Sequence, residues 1–99
     1  MKINIQYVHM PTSESLSRII TKKLEKLHHK FSWILKAEVF LKLENDSSGD
    51  NQICEIELSA PGPRIFASST EANFEKAVAS TIKDLERQLE KRKHAFANH

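Results

Sequence analysis

Residues 70–99 read TEANFEKAVASTIKDLERQLEKRKHAFANH, and the reading of this stretch decides how the rest of the chain must be arranged. At about 100° per residue it forms one long helix, Thr70 to His99, with two dissimilar faces. Phe74, Val78, Thr81, Ile82, Leu85, Leu89 and Phe96 gather on one stripe, while Lys76, Ser80, Lys83, Arg87, Lys91 and His94 gather opposite it. Glu75, Asp84 and Glu86 fall mostly on the flanks, and Glu90 sits close to the basic row. The run Lys91-Arg92-Lys93-His94 follows with no acid after Glu90. A helix that needs only solubility usually intersperses both signs on its outer face; this one sorts them. The apolar stripe must be buried against other elements, so the basic stripe calls for its own explanation.

Working outward, 99 residues suffice for one domain with one modest core, residues 1–99. No apolar run approaches the roughly 18 residues of a membrane span, and Met1-Lys2-Ile3-Asn4-Ile5 lacks the apolar core of a signal peptide. One cysteine, Cys54, cannot make an internal disulfide, so a reducing, cytoplasmic compartment is the expectation. The net charge of +2 conceals an uneven distribution. Residues 1–36 carry seven Lys/Arg against two Asp/Glu, residues 37–69 two against six, and residues 70–99 six against five. Positive charge at both ends and negative charge in the middle suggest an oriented electrostatic surface, often one for nucleic acid.

Lys2 to Val8 alternates, with Ile3, Ile5 and Tyr7 on one face, and reads as a half-buried strand. His9-Met10-Pro11 breaks it, and Thr12-Ser13 offers capping hydroxyls ahead of Glu14. Leu16, Ile20, Leu24, Leu27 and Phe31 then recur at helical spacing, with Arg18, Lys22, Lys26 and His29 as a second one-sided basic row. Ser32 to Lys36 is an exit turn of open register, with Trp33 closing the end of the core. Ala37 to Glu44 alternates, with Val39, Leu41 and Leu43 inward. Residues 45–51 read as a long, mobile polar turn, and Gln52 to Ser59 places Cys54, Ile56 and Leu58 inward. Ala60-Pro61-Gly62-Pro63 is a turn, Arg64 to Ser69 a short strand, and Ser68, Ser69 or Thr70 the cap of the final helix.

The order is therefore β-α-β-β-β-α. The three consecutive strands form an antiparallel meander, and the first strand, arriving through a helical crossover, pairs in parallel with a right-handed connection. Each strand has one apolar face, so both helices cover the same side of a four-stranded sheet in an α+β two-layer sandwich. That places the two basic rows side by side on the helix layer. Glu38, Glu44, Glu55 and Glu57 fall on the far, open face together with Phe40, which would mark a contact with a partner.

Solvated lysine rows are common on helices, but two adjacent rows with the acids exported point to a polyanion. Residues four apart stand about 6 Å apart along a helix axis, close to the phosphate spacing of a nucleic-acid strand, and such contacts position a protein without reading sequence. Among the histidines His9, His28, His29, His94 and His99, no pair has i, i+4 helical spacing, so neither a metal site nor a cofactor is expected. His29 and His94 lie with the basic rows. Two glycines in the chain leave no phosphate loop, and no nucleophile elbow occurs; an enzyme is not expected.

Arg87-Gln88-Leu89-Glu90-Lys91-Arg92-Lys93 resembles the Arg-Gln-Leu-x-Lys-x-Lys signature that ends the last helix of the bacterial ribosome hibernation promoting factors, also called ribosome-associated inhibitors or sigma-factor modulation proteins. Met1 to Ile5, Lys23-Leu24-x-Lys26-Leu27 with Phe31, Val39 to Leu43 and Ala67-Ser68 are similar too, so the resemblance runs nearly end to end. It implies a fold related to double-stranded RNA-binding domains. It also implies binding to the small ribosomal subunit, in the channel for messenger and transfer RNA, with translation silenced under starvation. Ribosomal RNA would be contacted by Lys23, Lys26, Arg87, Lys91 and Lys93, with Arg92 in the same run. The helical wheels add Arg18, Lys22, His29, Lys76 and Lys83, but leave Lys23 at the edge of the apolar stripe.

The chain departs from the family pattern at Asn73, Glu75, Ala79 and Asp84, which bears on the RNA contacts more than on the fold. It resembles the short type, expected to be monomeric off the ribosome and to need a second factor for any pairing of ribosomes. The competing readings are a general double-stranded RNA-binding module and a protein-interaction regulator using the open sheet face.

Overall fold

β1 (Lys2–Val8) opens the chain with alternating burial, as its sequence pattern requires. The computed structural model describes residues 1–46 and 49–97. After β1 the backbone turns sharply at His9, at a φ of 56°, and α1 (Glu14–Lys30) begins. Ser13 caps it, its Oγ accepting from the Leu16 N–H at 3.3 Å. The Tyr7 hydroxyl donates to the Ser13 carbonyl at 2.7 Å and lies 2.8 Å from Ser17 Oγ, fixing the angle at which the crossover leaves the strand.

α1 ends where Phe31 leaves the helical region with its N–H still bonded to the Leu27 carbonyl and its ring fully buried. The exit turn acquires its register from contacts remote in sequence. Leu35 donates to Ser59 O at 2.8 Å and accepts from Lys2 N at 3.2 Å, which buries Ile34 and leaves Leu35 64% exposed. Trp33 packs edge-to-face between Phe31, at 5.9 Å, and Phe96, at 5.3 Å, and so closes that end of the core as expected.

β2 (Lys36–Asp46), β3 (Gly49–Ser59) and β4 (Ile65–Glu71) follow, and α2 (Phe74–Ala97) completes the chain. The sheet order is β1-β2-β3-β4. β1 runs parallel to β2, with Ile5 opposite Val39, and the other pairs are antiparallel. This is the β-α-β-β-β-α arrangement read from the sequence.

Two boundaries differ from that reading. The hairpin strands reach Asp46 and restart at Gly49, so pairing such as Glu44 with Asn51 replaces most of the supposed 45–51 turn; Ser47 and Ser48 lie outside the described residues. The final helix starts at Phe74, not Thr70, because residues through Glu71 stay in the ladder, Glu71 facing Gln52. Its cap is Asn73, whose Oδ1 accepts from Lys76 N at 2.8 Å, and not Ser68, Ser69 or Thr70. Asn caps about as well as Asp, so the departure at Asn73 preserves the helix start.

Both helices lie on one side of the sheet. Leu16, Ile20, Leu24 and Leu27 of α1 and Val78, Leu85 and Leu89 of α2 close over Val39, Leu41, Cys54, Ile56 and Leu58 in one cluster. Each such residue contributes roughly 1.5–3 kcal/mol on burial. Leu43, on the same sheet face, projects past this cover and is 45% exposed. Thr81 sits in the middle of the apolar stripe with no exposure. Its hydroxyl escapes an unpaired burial by lying 2.8 Å from the Ala77 carbonyl and 3.2 Å from the Cys54 carbonyl, tying α2 to β3. The Cys54 thiol is correspondingly inert, pushed up to about 11 by burial.

Replacing Asn73 with Ala is expected to lower stability by about 1 kcal/mol in urea titration, by loss of the cap. Because the Cys54 thiol titrates near 9.0 when exposed and at about 11 when folded, the unfolded chain gives up its proton first as pH rises. Stability should therefore fall across that window more steeply than in a Cys54→Ala chain, measured by denaturant midpoints at successive pH values.

Candidate nucleic-acid interface

α1 and α2 run side by side in the same direction. Ser13, Ser15, Leu16 and Ile19 meet Asn73, Phe74 and Glu75 around a concavity at the helix starts, and further along Lys30 of α1 bonds to Glu86 of α2. The seam between them is therefore lined by one flank of each helix. On α1 that flank is Ile19, Lys23, Lys26 and Lys30, spaced three and four apart so that the amines emerge in a row. On α2 it is Ala79, Ser80, Ile82, Lys83 and Glu86.

Lys23 is the centre of this surface. It borders a groove of about 320 Å³ with Lys26, Leu27, Lys30, Ile82 and Glu86. A second groove of about 300 Å³ joins it to Ser80 and Lys83 across the seam, and Lys22 and Lys26 lie beside it on α1. Its position at the rim of the apolar stripe, awkward on a helical wheel, is what brings it to the neighbouring helix with its ammonium in solvent.

The other expected residues divide into three groups. Arg18 and Lys22 line a shallow depression with Ser17, Thr21 and Glu25 on the outer side of α1, and His29 is exposed there too. Lys76, Arg87 and Lys91 stand exposed on α2, Arg87 with Asp84 4.0 Å away. Asp84, one of the departures from the family pattern, thus tempers the charge of Arg87. Lys93 reaches back toward α1, its Nζ 6.0 Å from the Phe31 ring centroid. Arg18, Lys22, Lys23, Lys26, Lys76, Lys83, Lys91 and Lys93 make no ion pair among the described residues, so their charge is available to a ligand.

Arg92 is the exception. It is only half-exposed, and its guanidinium donates to the Pro61 carbonyl at 3.1 Å. It also covers Gly62, whose φ of 97° marks the tight turn. This arginine clamps the β3–β4 turn to α2 and is occupied there. Nothing in local spacing distinguishes it from Lys91 and Lys93, because its acceptor lies thirty-one positions earlier in the chain. Lys30 is the converse case: a cation of the seam absent from the sequence-derived set, because its counterpart Glu86 is fifty-six positions away.

The open sheet face also differs from expectation. Glu38, Glu55 and Glu57 do lie there, but each holds a base: Lys36 at 2.9 Å, Lys42 at 3.0 Å and Arg64 at 3.0 Å. The hydrogen bond from Lys36 holds the Glu38 carboxyl below its ordinary value. Three of the four expected glutamates are thus paired on that face, while Glu44 is exposed and makes none of these pairs. Phe40 is half-buried among them, while Phe66, two strands further out on β4, is 52% exposed. Among the described residues no cluster of His, Cys, Asp and Glu is arranged to hold a metal, and no helix is long and apolar enough to cross a membrane.

The molecule is thus a two-layer α+β domain with a cationic seam between parallel helices, backed by a sheet whose Glu38, Glu55 and Glu57 are ion-paired. The family model described as Sigma 54 modulation protein / S30EA ribosomal protein matches residues 3–96, and the chain belongs to that family. A curated relative, the ribosome hibernation promoting factor of Pseudomonas putida, is 27% identical over 93 residues, covering 94% of this chain and 87% of its own. The fold matches that of a ribosomal subunit interface protein from Coxiella burnetii with a TM-score of 0.84 at 23% identity, covering 95% of this chain and 99% of that one. It also matches the N-terminal domain of Thermus thermophilus Protein Y, with a TM-score of 0.79 at 20% identity and coverage of 92% and 98%.

An Arg92→Ala chain should lose about 1 kcal/mol of stability with its turn clamp while binding RNA as the parent does. Lys23→Ala should show the opposite pattern, weaker RNA binding at unchanged thermal midpoint. Calorimetry and a filter-binding titration on the two variants separate the roles.

Proposed function

We propose that this chain is a ribosome hibernation factor: it binds the small ribosomal subunit in the channel for messenger and transfer RNA and silences translation when growth stops. The observation that carries the reading is the Lys23-centred seam, set in a domain that belongs to this family along nearly its whole length. The name of the Pseudomonas relative supplies the hibernation activity, and that of the Coxiella neighbour the subunit interface as its place of action.

Lys23, Lys26 and Lys83 meet phosphates along the seam, flanked by Arg18, Lys22 and His29 on one helix and by Lys76, Arg87, Lys91 and Lys93 on the other. Helical spacing of about 6 Å between amines four apart suits successive phosphates. A rigid array of this kind reads the shape of folded RNA, since the deep, narrow major groove of A-form RNA admits no side chains. No step of chemistry is involved; the action is occupation of a site that translation needs. The working location is the cytoplasm, where ribosomes are. The chain acts as a monomer off the ribosome, and pairing of ribosomes calls on a second factor.

Co-sedimentation with purified small subunits, at two salt concentrations and with free double-stranded RNA as competitor, tests the reading. Saturable one-to-one binding that survives the competitor is the expected result. Replacing Arg87 and Lys91 together with Glu should reduce it by at least about tenfold, and raising salt should weaken it steeply as released counterions are re-bound. Binding removed by the competitor would instead make the chain a general double-stranded RNA-binding module.

A further inference from the structure

Glu86 is an acid set among lysines. It borders the groove lined by Lys23, Lys26 and Lys30 on one side and the groove holding Lys23 and Lys83 on the other. Its carboxylate bonds to Lys30 across the seam, and this bond holds the Lys30 ammonium above its ordinary value. Glu90 adds a weaker attraction from the same helix, and the Lys30 and Lys93 amines lie 5.8 and 6.0 Å from the Phe31 ring centroid. Both partners are open to water, Lys30 at 52% and Glu86 at 36% side-chain exposure. Exposed pairs of this kind contribute little to stability, so the fold does not depend on it.

We propose that the Lys23–Lys26–Lys30 groove is a binding site for a single phosphodiester phosphate, and that Glu86 is its internal counterion, displaced when the phosphate enters. The inference rests on the RNA-binding reading above and assigns a role to one place within it. A phosphodiester carries one negative charge, as Glu86 does, and two non-bridging oxygens. It replaces the carboxylate at Lys30 while also reaching the ammonium groups of Lys23 and Lys26, which make no ion pair among the described residues. The exchange is nearly balanced in charge. A phosphate arriving alone gains little over the acid already present, whereas one delivered in register by contacts along Lys83, Arg87 and Lys91 gains the two further lysines. Glu86 therefore favours a ligand of fixed shape over any loose polyanion.

The test uses the whole chain in four forms: the parent, Glu86→Gln, Lys30→Gln and the double variant. Affinities for a duplex RNA of about 16 base pairs and for small subunits are measured over a range of salt, with thermal midpoints confirming that all four fold alike. Glu86→Gln should tighten duplex binding about fivefold and steepen the dependence of log K on log salt by about one phosphate contact. Its gain on the ribosome should be smaller. In the Lys30→Gln background the same substitution should lose most of its effect, since the competition it relieves is already gone. A Glu86→Gln gain that is equal with and without Lys30 would overturn the proposal, reducing Glu86 to a distant repulsive charge, and so would no gain at all. The Arg87→Glu, Lys91→Glu chain serves as the control for the underlying reading. If it binds normally, the RNA interface itself is wrong; if it fails to bind while Glu86→Gln is neutral, only the counterion is.

Discussion

The constraint on which everything else depends is that two amphipathic helices share one face of a four-stranded sheet. Each strand offers a single apolar side, and the β1–α1–β2 crossover commits α1 to that side before α2 is reached. α2 can bury Val78, Leu85 and Leu89 only by lying next to α1. The residues at the inner rims of the two stripes are thereby forced to face one another. Lys23 and Lys26 meet Ile82, Lys83 and Glu86 because Leu24, Leu27, Leu85 and Leu89 must be covered, and the cationic seam is a by-product of core formation.

The same constraint explains the division of charge between the layers. Residues on the open sheet face have neighbours about 5 Å away on adjacent strands, close enough for Lys42 and Glu55, or Arg64 and Glu57, to pair directly. On the helix layer, cations repeating at three and four residues along each helix find like charges beside them. On the sheet face Glu38, Glu55 and Glu57 each find a base, whereas among the described residues of the helix surface only Lys30 with Glu86 and the loose Arg87–Asp84 contact are paired. Unsatisfied positive potential consequently collects on one side of the molecule, which is the side a polyanion would approach.

Much of this is legible in local pattern. The period-2 alternation of Lys2–Val8, the 3.6-residue periodicity after Ser13 and the turn residues at Pro61–Pro63 give the element order and the parallel first pair. The cap at Ser13 follows from its hydroxyl and its place before Glu14. The sequence pattern places the start of the last helix four residues early, because serine and threonine at 68–70 serve equally well as caps and as strand residues. Only their pairing with Ile53, Cys54 and Glu55 settles the matter. The 45–51 segment differs for a similar reason: polar composition signals a turn, yet the register set by Ala37–Glu44 against Asn51–Leu58 carries the ladder outward to Asp46 and Gly49.

Sequence by itself determined the fold class, the one-sided core of both helices, the family, and the two basic rows of the helix layer, since each of these rests on periodicity or short motifs within a single element. Tertiary structure alone decided which cations are free. Arg92 belongs to the Pro61–Gly62 turn, Lys30 to Glu86, and the sheet glutamates to Lys36, Lys42 and Arg64. Those assignments depend on Coulomb and hydrogen-bond interactions that act over a few ångströms of space, and no helical period or strand alternation records a neighbour thirty or fifty residues away.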